Sequence, residues 1–401
     1  MRSVSDDGPR KEARFLILQF LSNGGNYLNE KIILLILRNN KLKENYMKFI
    51  HIADMHFDTP FTFLGERDNL GDIRRIEQRD AFKKIIEYIK QHKIKYLFIS
   101  GDLYDQKYVK ETTINYINNL FKEIPETKIF IAPGNHDPLL KNSYYNEFNW
   151  SENVYIFNNE IGLYEFEDAD IYGFGFNDFY CNNFNPEGIK IKNKEKLNIL
   201  VLHGDVDASK NAQSLYNPVT NSELSALGFD YIAMGHIHKR QIINENIVYP
   251  GSTISLGFDE PGEHGMLEVN LEKHNSAINF IKLDKREFVE QELDISEINT
   301  REELIEKINN IKLEENNLYK IILIGTRNFE IDVNKIIKLI NQKNILKLKD
   351  HTKIKYDLEE ISKQSNLKGI FAREMLELLK SEPENAQIIQ NALEIGLNNM
   401  Q

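Results

Sequence analysis

Five short clusters of metal-type ligands stand out in this 401-residue chain, and two divalent cations holding a phosphate is the chemistry they suit. Asp54 and His56 form an Asp-x-His. Asp102 opens Gly101-Asp102-Leu103-Tyr104-Asp105. Asn135, His136 and Asp137 follow Gly134. His203-Gly204 and Gly235-His236-Ile237-His238 complete the set. Taken singly, each has an ordinary reading: Gly, Asn and Asp favour turns, and a lone Gly-His-Ile-His is more often structural. All five in one order, each just after an apolar run, is a far rarer pattern.

A phosphodiester resists hydrolysis because an anionic centre repels an anionic nucleophile, and paired cations relieve that repulsion. Such a pair needs a bridging ligand, and the carboxylate of Asp102 is the natural one. Asn135 would add a neutral oxygen. Mixed imidazole, carboxylate and amide ligands suit manganese, iron or zinc, and residue types do not separate these. Cys181 is the only cysteine, which excludes a disulfide framework and a Cys-rich zinc site. The formal net charge of -11 argues against a protein that coats duplex nucleic acid, though bound cations would reverse the charge locally. His51 lies inside an apolar strand and reads as a satisfied core histidine.

The elements that must position these residues follow from periodicity. Residues 49–53, 96–99 and 128–131 are short buried-type strands. Helical spacing covers residues 75–91 and 112–121 between them. Each strand runs into a ligand cluster, and open α/β sheets carry their sites at such carboxyl ends. Residues 154–157, 171–174, 197–202, 231–234, 247–249, 265–269 and 277–281 predict a second, largely antiparallel set of strands. Two facing sheets flanked by helices make a four-layer α/β/β/α sandwich.

Four regions result. Residues 1–46 are an extension of unknown role. Its apolar runs at 16–21 and 32–37 fall far short of the ~20 residues that span a bilayer. Asp6-Asp7 and the lack of a small-residue cleavage site argue against a secretory signal. A cytoplasmic protein without a membrane anchor fits. Residues 47–285 carry the ligands. Residues 286–367 read as a small α/β capping module, with a helix over 295–311, a strand over 318–325 and a helix over 333–340. Residues 368–401 form a helical tail, in which Phe371, Met375, Leu376, Leu378 and Leu379 share one helix side. Ile388, Ile389, Ala392, Leu393 and Leu397 share another.

At these motifs the chain resembles the calcineurin-like metallophosphoesterases, and within them the SbcD-type DNA repair nucleases with their YhaO-like branch. His51-Ile52-Ala53-Asp54-Met55-His56 and the four later clusters carry the resemblance. Tyr249-Pro250-Gly251-Ser252 and Phe258-Asp259-Glu260-Pro261-Gly262 extend it. Thr59-Pro60-Phe61 departs from the family's usual Leu-Gly. The resemblance implies one metal on Asp54, His56, Asp102 and His238, and another on Asp102, Asn135, His203 and His236. It gives His136 to the transition state or leaving group, and Asp105 to orienting that histidine. It further implies a manganese-dependent DNA exo/endonuclease subunit working on DNA with an SbcC-like coiled-coil ATPase, residues 286–367 serving DNA recognition and the tail helices gripping the ATPase, with homodimerisation as an option. The competing readings are a small-molecule phosphodiesterase or phosphatase using the same metals, and a non-catalytic scaffold. The scaffold is disfavoured because no ligand is missing.

Overall fold

The computed structural model of the chain describes residues 46–61, 64, 69–207 and 214–400. The expectations for the N-terminal extension, and its two apolar runs, lie outside the described residues. Two compact units are present. One comprises described residues 46–61, 69–254 and 264–284. The other comprises residue 64, residues 255–263 and residues 285–400.

The first unit opens with strand β1 (Met47–Ile52), helix α1 (Leu70–His92), β2 (Tyr96–Ile99), α2 (Glu111–Lys122), β3 (Lys128–Ile131), the single turn α3 (Tyr144–Glu147) and β4 (Val154–Ile156). There follow β5 (Gly162–Glu165), β6 (Ala169–Phe174), β7 (Leu197–His203), α4 (Asn221–Ala226), β8 (Tyr231–Gly235), β9 (Gln241–Ile242), β10 (Ile247–Tyr249), β11 (Gly265–Glu272) and β12 (Asn275–Lys282). They form two six-stranded sheets, ordered β12-β11-β1-β2-β3-β4 and β5-β6-β7-β8-β10-β9.

Phe49, Phe98 and Phe130 of the first sheet pack against Ile171, Ile199, Val201, Tyr231 and Val248 of the second, and together they form one buried core. The outer face of the first sheet lies under α1 and α2. Their Phe82 and Phe121 rings stand 5.8 Å apart, and Phe82 meets Phe57 edge-on. On the other side, Leu200, Leu202, Ile232 and Met234 bury against Leu224 of α4 and the loop residues around Phe184. This is the four-layer α/β/β/α sandwich.

The second sheet differs from its sequence-based expectation. Strands β6, β7, β8 and β10 run parallel, and only the edges β5 and β9 are antiparallel. Strands β4, β11 and β12 belong to the first sheet instead. Leu-Asn-Ile-Leu-Val-Leu-His of β7 is nearly continuous apolar sequence, as a strand covered on both faces must be.

The second unit is built on a parallel sheet of β13 (Phe288–Asp294), β14 (Leu318–Ile324) and β16 (Ile345–Asp350), with β15 (Thr326–Arg327) pairing β17 (Lys353–Ile354) alongside. Helices α5 (Arg301–Asn309) and α6 (Val333–Leu339) cover one sheet face through Leu304, Ile308 and Ile336. The expected helix over 295–311 is shorter at its start because Thr300 caps it: its hydroxyl accepts the Glu303 N–H. Phe258, in the downstream motif, stacks edge-on to Phe288 at 5.0 Å. Helices α7 (Leu358–Ser362), α8 (Leu367–Ser381) and α9 (Ala386–Asn399) close the chain.

Candidate two-metal centre

Every ligand cluster sits at the carboxyl end of a strand. Asp54 and His56 lie just beyond β1, Asp102 beyond β2, and Asn135 beyond β3. His203 ends β7, and His236 and His238 follow β8. The loops are laced together. The N–H of Asp54 donates to the Gly101 carbonyl at 3.1 Å, that of His56 to Asp102 at 2.8 Å, and that of Phe57 to Leu103 at 3.0 Å. Gln78 of α1 reaches in to cap the His56 carbonyl at 3.0 Å.

Two motif glycines are dictated by space. A Cβ at Gly235 would fall on the Ser100 carbonyl oxygen, and one at Gly101, whose φ is +84°, would fall on the His203 ring. Several ligands are themselves in the left-handed region: Asp54 (φ 51°), His56 (49°), Asp102 (52°) and His236 (105°). Such backbone is costly for L-residues, and it concentrates at functional sites.

The side chains converge on two points. At the first, Nε2 of His56 lies 3.2 Å from Nε2 of His238, with Oδ1 of Asp54 3.8 Å from His238 and Oδ2 of Asp102 3.6 Å from His56. At the second, Oδ1 of Asn135 lies 3.0 Å from Nε2 of His203 and 3.1 Å from Nδ1 of His236, while Oδ2 of Asp102 is 3.5 Å from His203. Asp102 therefore faces both. This oxygen and imidazole donor set, without thiolate, fits a pair of divalent cations. The first point would be held by Asp54, His56, Asp102 and His238, and the second by Asp102, Asn135, His203 and His236.

Burial sets the electrostatics. It raises the pKa of Asp54 to about 7. It lowers those of His56, His203 and His236, which favours the neutral imidazole, the form with a lone pair to give a cation. For Asp102, burial is outweighed by His203, His56 and His136, which hold the carboxyl far below its usual range.

His136 is half exposed at the rim, and its backbone N–H donates to Oδ1 of Asp102 at 2.8 Å. Its Nδ1 lies 3.5 Å from Oδ1 of Asp105. Burial lowers its pKa, but Asp105, Asp102 and Asp137 outweigh this and raise it to about 9. By distance alone it falls in a cluster with His56 and Asp102.

His51 is fully buried. Its Nδ1 is 3.0 Å from the Tyr231 hydroxyl and its Nε2 is 3.1 Å from Ser100 Oγ, and burial drops its pKa to about 3. It is not among the converging ligands, yet it bonds the side chain of Ser100, whose carbonyl accepts Nδ1–H of His203 at 2.8 Å.

Sequence reasoning gave no role to several supporting residues. Asp137 accepts the N–H groups of Asp102 (2.9 Å), Leu103 (2.7 Å) and Gly134 (2.6 Å), and the Tyr145 hydroxyl (2.6 Å). It ties two ligand loops into one body. Tyr249 donates to the Gly204 carbonyl at 2.7 Å, and the N–H of Ser252 to that of His238 at 2.9 Å. The Tyr249-Pro250-Gly251-Ser252 motif thus braces two ligand loops. Asn135-His136-Asp137 and Tyr249 were visible as motif residues, whereas Gln78 and Tyr145 left no local signal.

The family model for calcineurin-like phosphoesterases matches residues 47–240, just under half the chain. An uncharacterized metallophosphoesterase, YhaO of Bacillus subtilis, is 26% identical over 246 residues, 58% of this chain and 60% of that protein. The DNA double-strand break repair protein Mre11 of Sulfolobus acidocaldarius is 24% identical over 315 residues, 72% of this chain and 77% of that protein. The SbcD component of the nuclease SbcCD of Staphylococcus epidermidis is 26% identical over 272 residues, 58% of this chain and 68% of that protein. The match thus spans less than two thirds of YhaO. Phosphoesterases of this family work with a dimetal centre, and the ligands above are the candidates for it here. The chain carries a calcineurin-like metallophosphoesterase domain over residues 47–240.

Proposed function

We propose that the protein is a two-metal phosphodiester hydrolase, and that it acts as a manganese-dependent DNA exo/endonuclease subunit in DNA repair together with an SbcC-like ATPase. The observation that carries the hydrolase reading is Asp102 facing two convergent ligand sets, with a half-exposed histidine beside them. Bound divalent cations would supply Lewis acidity, lowering the pKa of a water and neutralising the phosphate oxygens. Asp102 fixes the spacing of the two sets. Asn135 contributes an oxygen without charge, which leaves the site better able to receive an anion. Asp105 faces Nδ1 of His136 at 3.5 Å, which leaves Nε2 as the nitrogen to give a proton to the leaving oxygen.

Likeness to Mre11 and to SbcD supports DNA as substrate and an ATPase as partner. The tail helices offer a surface for that partner. Met375, Ile389, Leu393 and Leu397 are buried among Phe371 and Leu379, so much of the apolar stripe packs on itself. Leu367, Ile370, Leu378, Ile388 and Ile395 remain exposed, Leu367 and Ile388 each by 69%. These five, rather than the stripe as a whole, would grip the partner's helices. Among the described residues no helix is long and apolar enough to cross a membrane, and a cytoplasmic setting is part of this proposal.

A small-molecule phosphodiesterase would use the same metals, and one assay separates the two. The full chain is incubated with manganese and, in parallel, single-stranded DNA, a cyclic nucleotide and a chromogenic phosphodiester. The nuclease reading expects DNA degradation that chelation abolishes. Turnover of the cyclic nucleotide with intact DNA would overturn it.

A further inference from the structure

The four ligand imidazoles do not address the cation positions alike. His56 and His238 bring their Nε2 atoms together. His203 also presents Nε2, because its Nδ1–H is taken by the Ser100 carbonyl at 2.8 Å. His236 alone presents Nδ1, which lies 3.1 Å from Oδ1 of Asn135, an acceptor to which the competing Nδ1–H tautomer would donate. A neutral imidazole carries one proton, and a ligating nitrogen must be the bare one. His236 must therefore be held as the Nε2–H tautomer, the less common demand in this site.

Among the described residues, a carboxylate meets its Nε2. Oδ1 of Asp205 stands 3.5 Å away, within ion-pair reach and longer than a formed hydrogen bond. Asp205 is itself fixed. Its N–H donates to the Tyr216 carbonyl at 2.9 Å, its carbonyl accepts the Val219 N–H at 3.0 Å, and the Ser214 hydroxyl donates to Oδ2. The Tyr216 ring lies 4.8 Å from that of His236, tilted by 36°, and limits its swing. The His236 backbone sits at φ 105°, so the ring is aimed by its surroundings rather than by relaxed backbone.

We propose that Asp205 is a positioning residue for the cation site of Asp102, Asn135, His203 and His236. It fixes His236 as the Nε2–H tautomer, leaves Nδ1 bare for the cation, and adds an outer negative charge. That charge matters because Asp102, which this site shares, is its only charged donor. Outer-shell carboxylates of this kind typically change metal affinity by about 10–100-fold. The inference rests on the two-cation reading of the site.

The test uses the full chain labelled with ¹⁵N-histidine. Ring ¹⁵N shifts report the His236 tautomer in cation-free protein, and calorimetric Mn2+ titration gives the two binding steps. Wild type should show Nε2–H and two ions. In Asp205→Ala the tautomer preference should be lost and one binding step weakened by about 10–100-fold, with the other step unchanged. Asp205→Asn keeps an acceptor without charge, so it should keep the tautomer and weaken the same step less. Wild-type tautomer and unchanged binding in Asp205→Ala would overturn the proposal. If that variant does not fold, unchanged second-ion affinity in both Asp205→Asn and Ser214→Ala would overturn it equally. Fewer than two ions in wild type would instead defeat the two-cation reading itself.

Discussion

Nε2 of His56 and Nε2 of His238 lie 3.2 Å apart, although 182 residues separate them in the chain. Burial keeps the His56 imidazole neutral. Without a cation the two rings can share an N–H···N hydrogen bond; with one, both bare nitrogens would turn to it, and Asp54 and Asp102 close by make this the expected place for one metal.

Asp102 faces both positions. Asp102→Ala should therefore lose both ions, whereas His56→Ala should lose one. Elemental analysis after manganese loading and desalting checks this. Equal ion content in the two variants would contradict the bridging role.

His136 should act on chemistry rather than on metal. His136→Ala is expected to keep two ions and to lose about 10²–10⁴-fold in turnover, the usual contribution of a positioned acid–base group. Loss of an ion from this variant would move His136 into the ligand set, where distance alone would also allow it.

The pH dependence of metal binding follows from Asp54, whose pKa burial raises to about 7. Below that pH the carboxyl holds a proton that a cation must displace. Its folded pKa lies above the ordinary 3.8, so its contribution to cation-free stability is present at low pH and is lost as pH rises through about 7. Cation binding reverses that loss. Manganese should thus bind about tenfold more tightly at pH 8 than at pH 6 and raise the melting temperature more there. Calorimetry and thermal melts at the two pH values measure this. Equal affinity at both would argue against a protonated Asp54.

Asp137 is expected to matter for stability more than for chemistry. Asp137→Ala leaves three backbone N–H groups and a buried tyrosine hydroxyl without their acceptor. A loss of about 3 kcal/mol or more is expected, with metal affinity falling alongside. Urea melts with and without manganese give both quantities.

How much of this was legible in the sequence can be judged residue by residue. The clusters that hold Asp54, His56, Asp102, Asn135, His203, His236 and His238 stand out because each follows an apolar run, and short-range pattern is what a sequence displays. The partners of β4, β11 and β12 were not legible, since an apolar strand carries no mark of which sheet it will join. Asp205 and Gln78 were invisible for a related reason: their contacts reach 31 and 22 residues along the chain, and their neighbours in sequence do nothing similar. In the tail, helical periodicity identified an apolar face, but only the packing of Phe371 against Gly396, where a Cβ would strike the ring, separates its buried half from its exposed half.

That two cations share Asp102 is tested most directly by crystals of the full chain soaked in manganese and measured at the manganese absorption edge. Two anomalous peaks are expected, both in contact with the Asp102 carboxylate, one also contacting His56 and His238 and the other Asn135, His203 and His236. A single peak, or two peaks of which either lies away from Asp102, would contradict the shared-ligand centre.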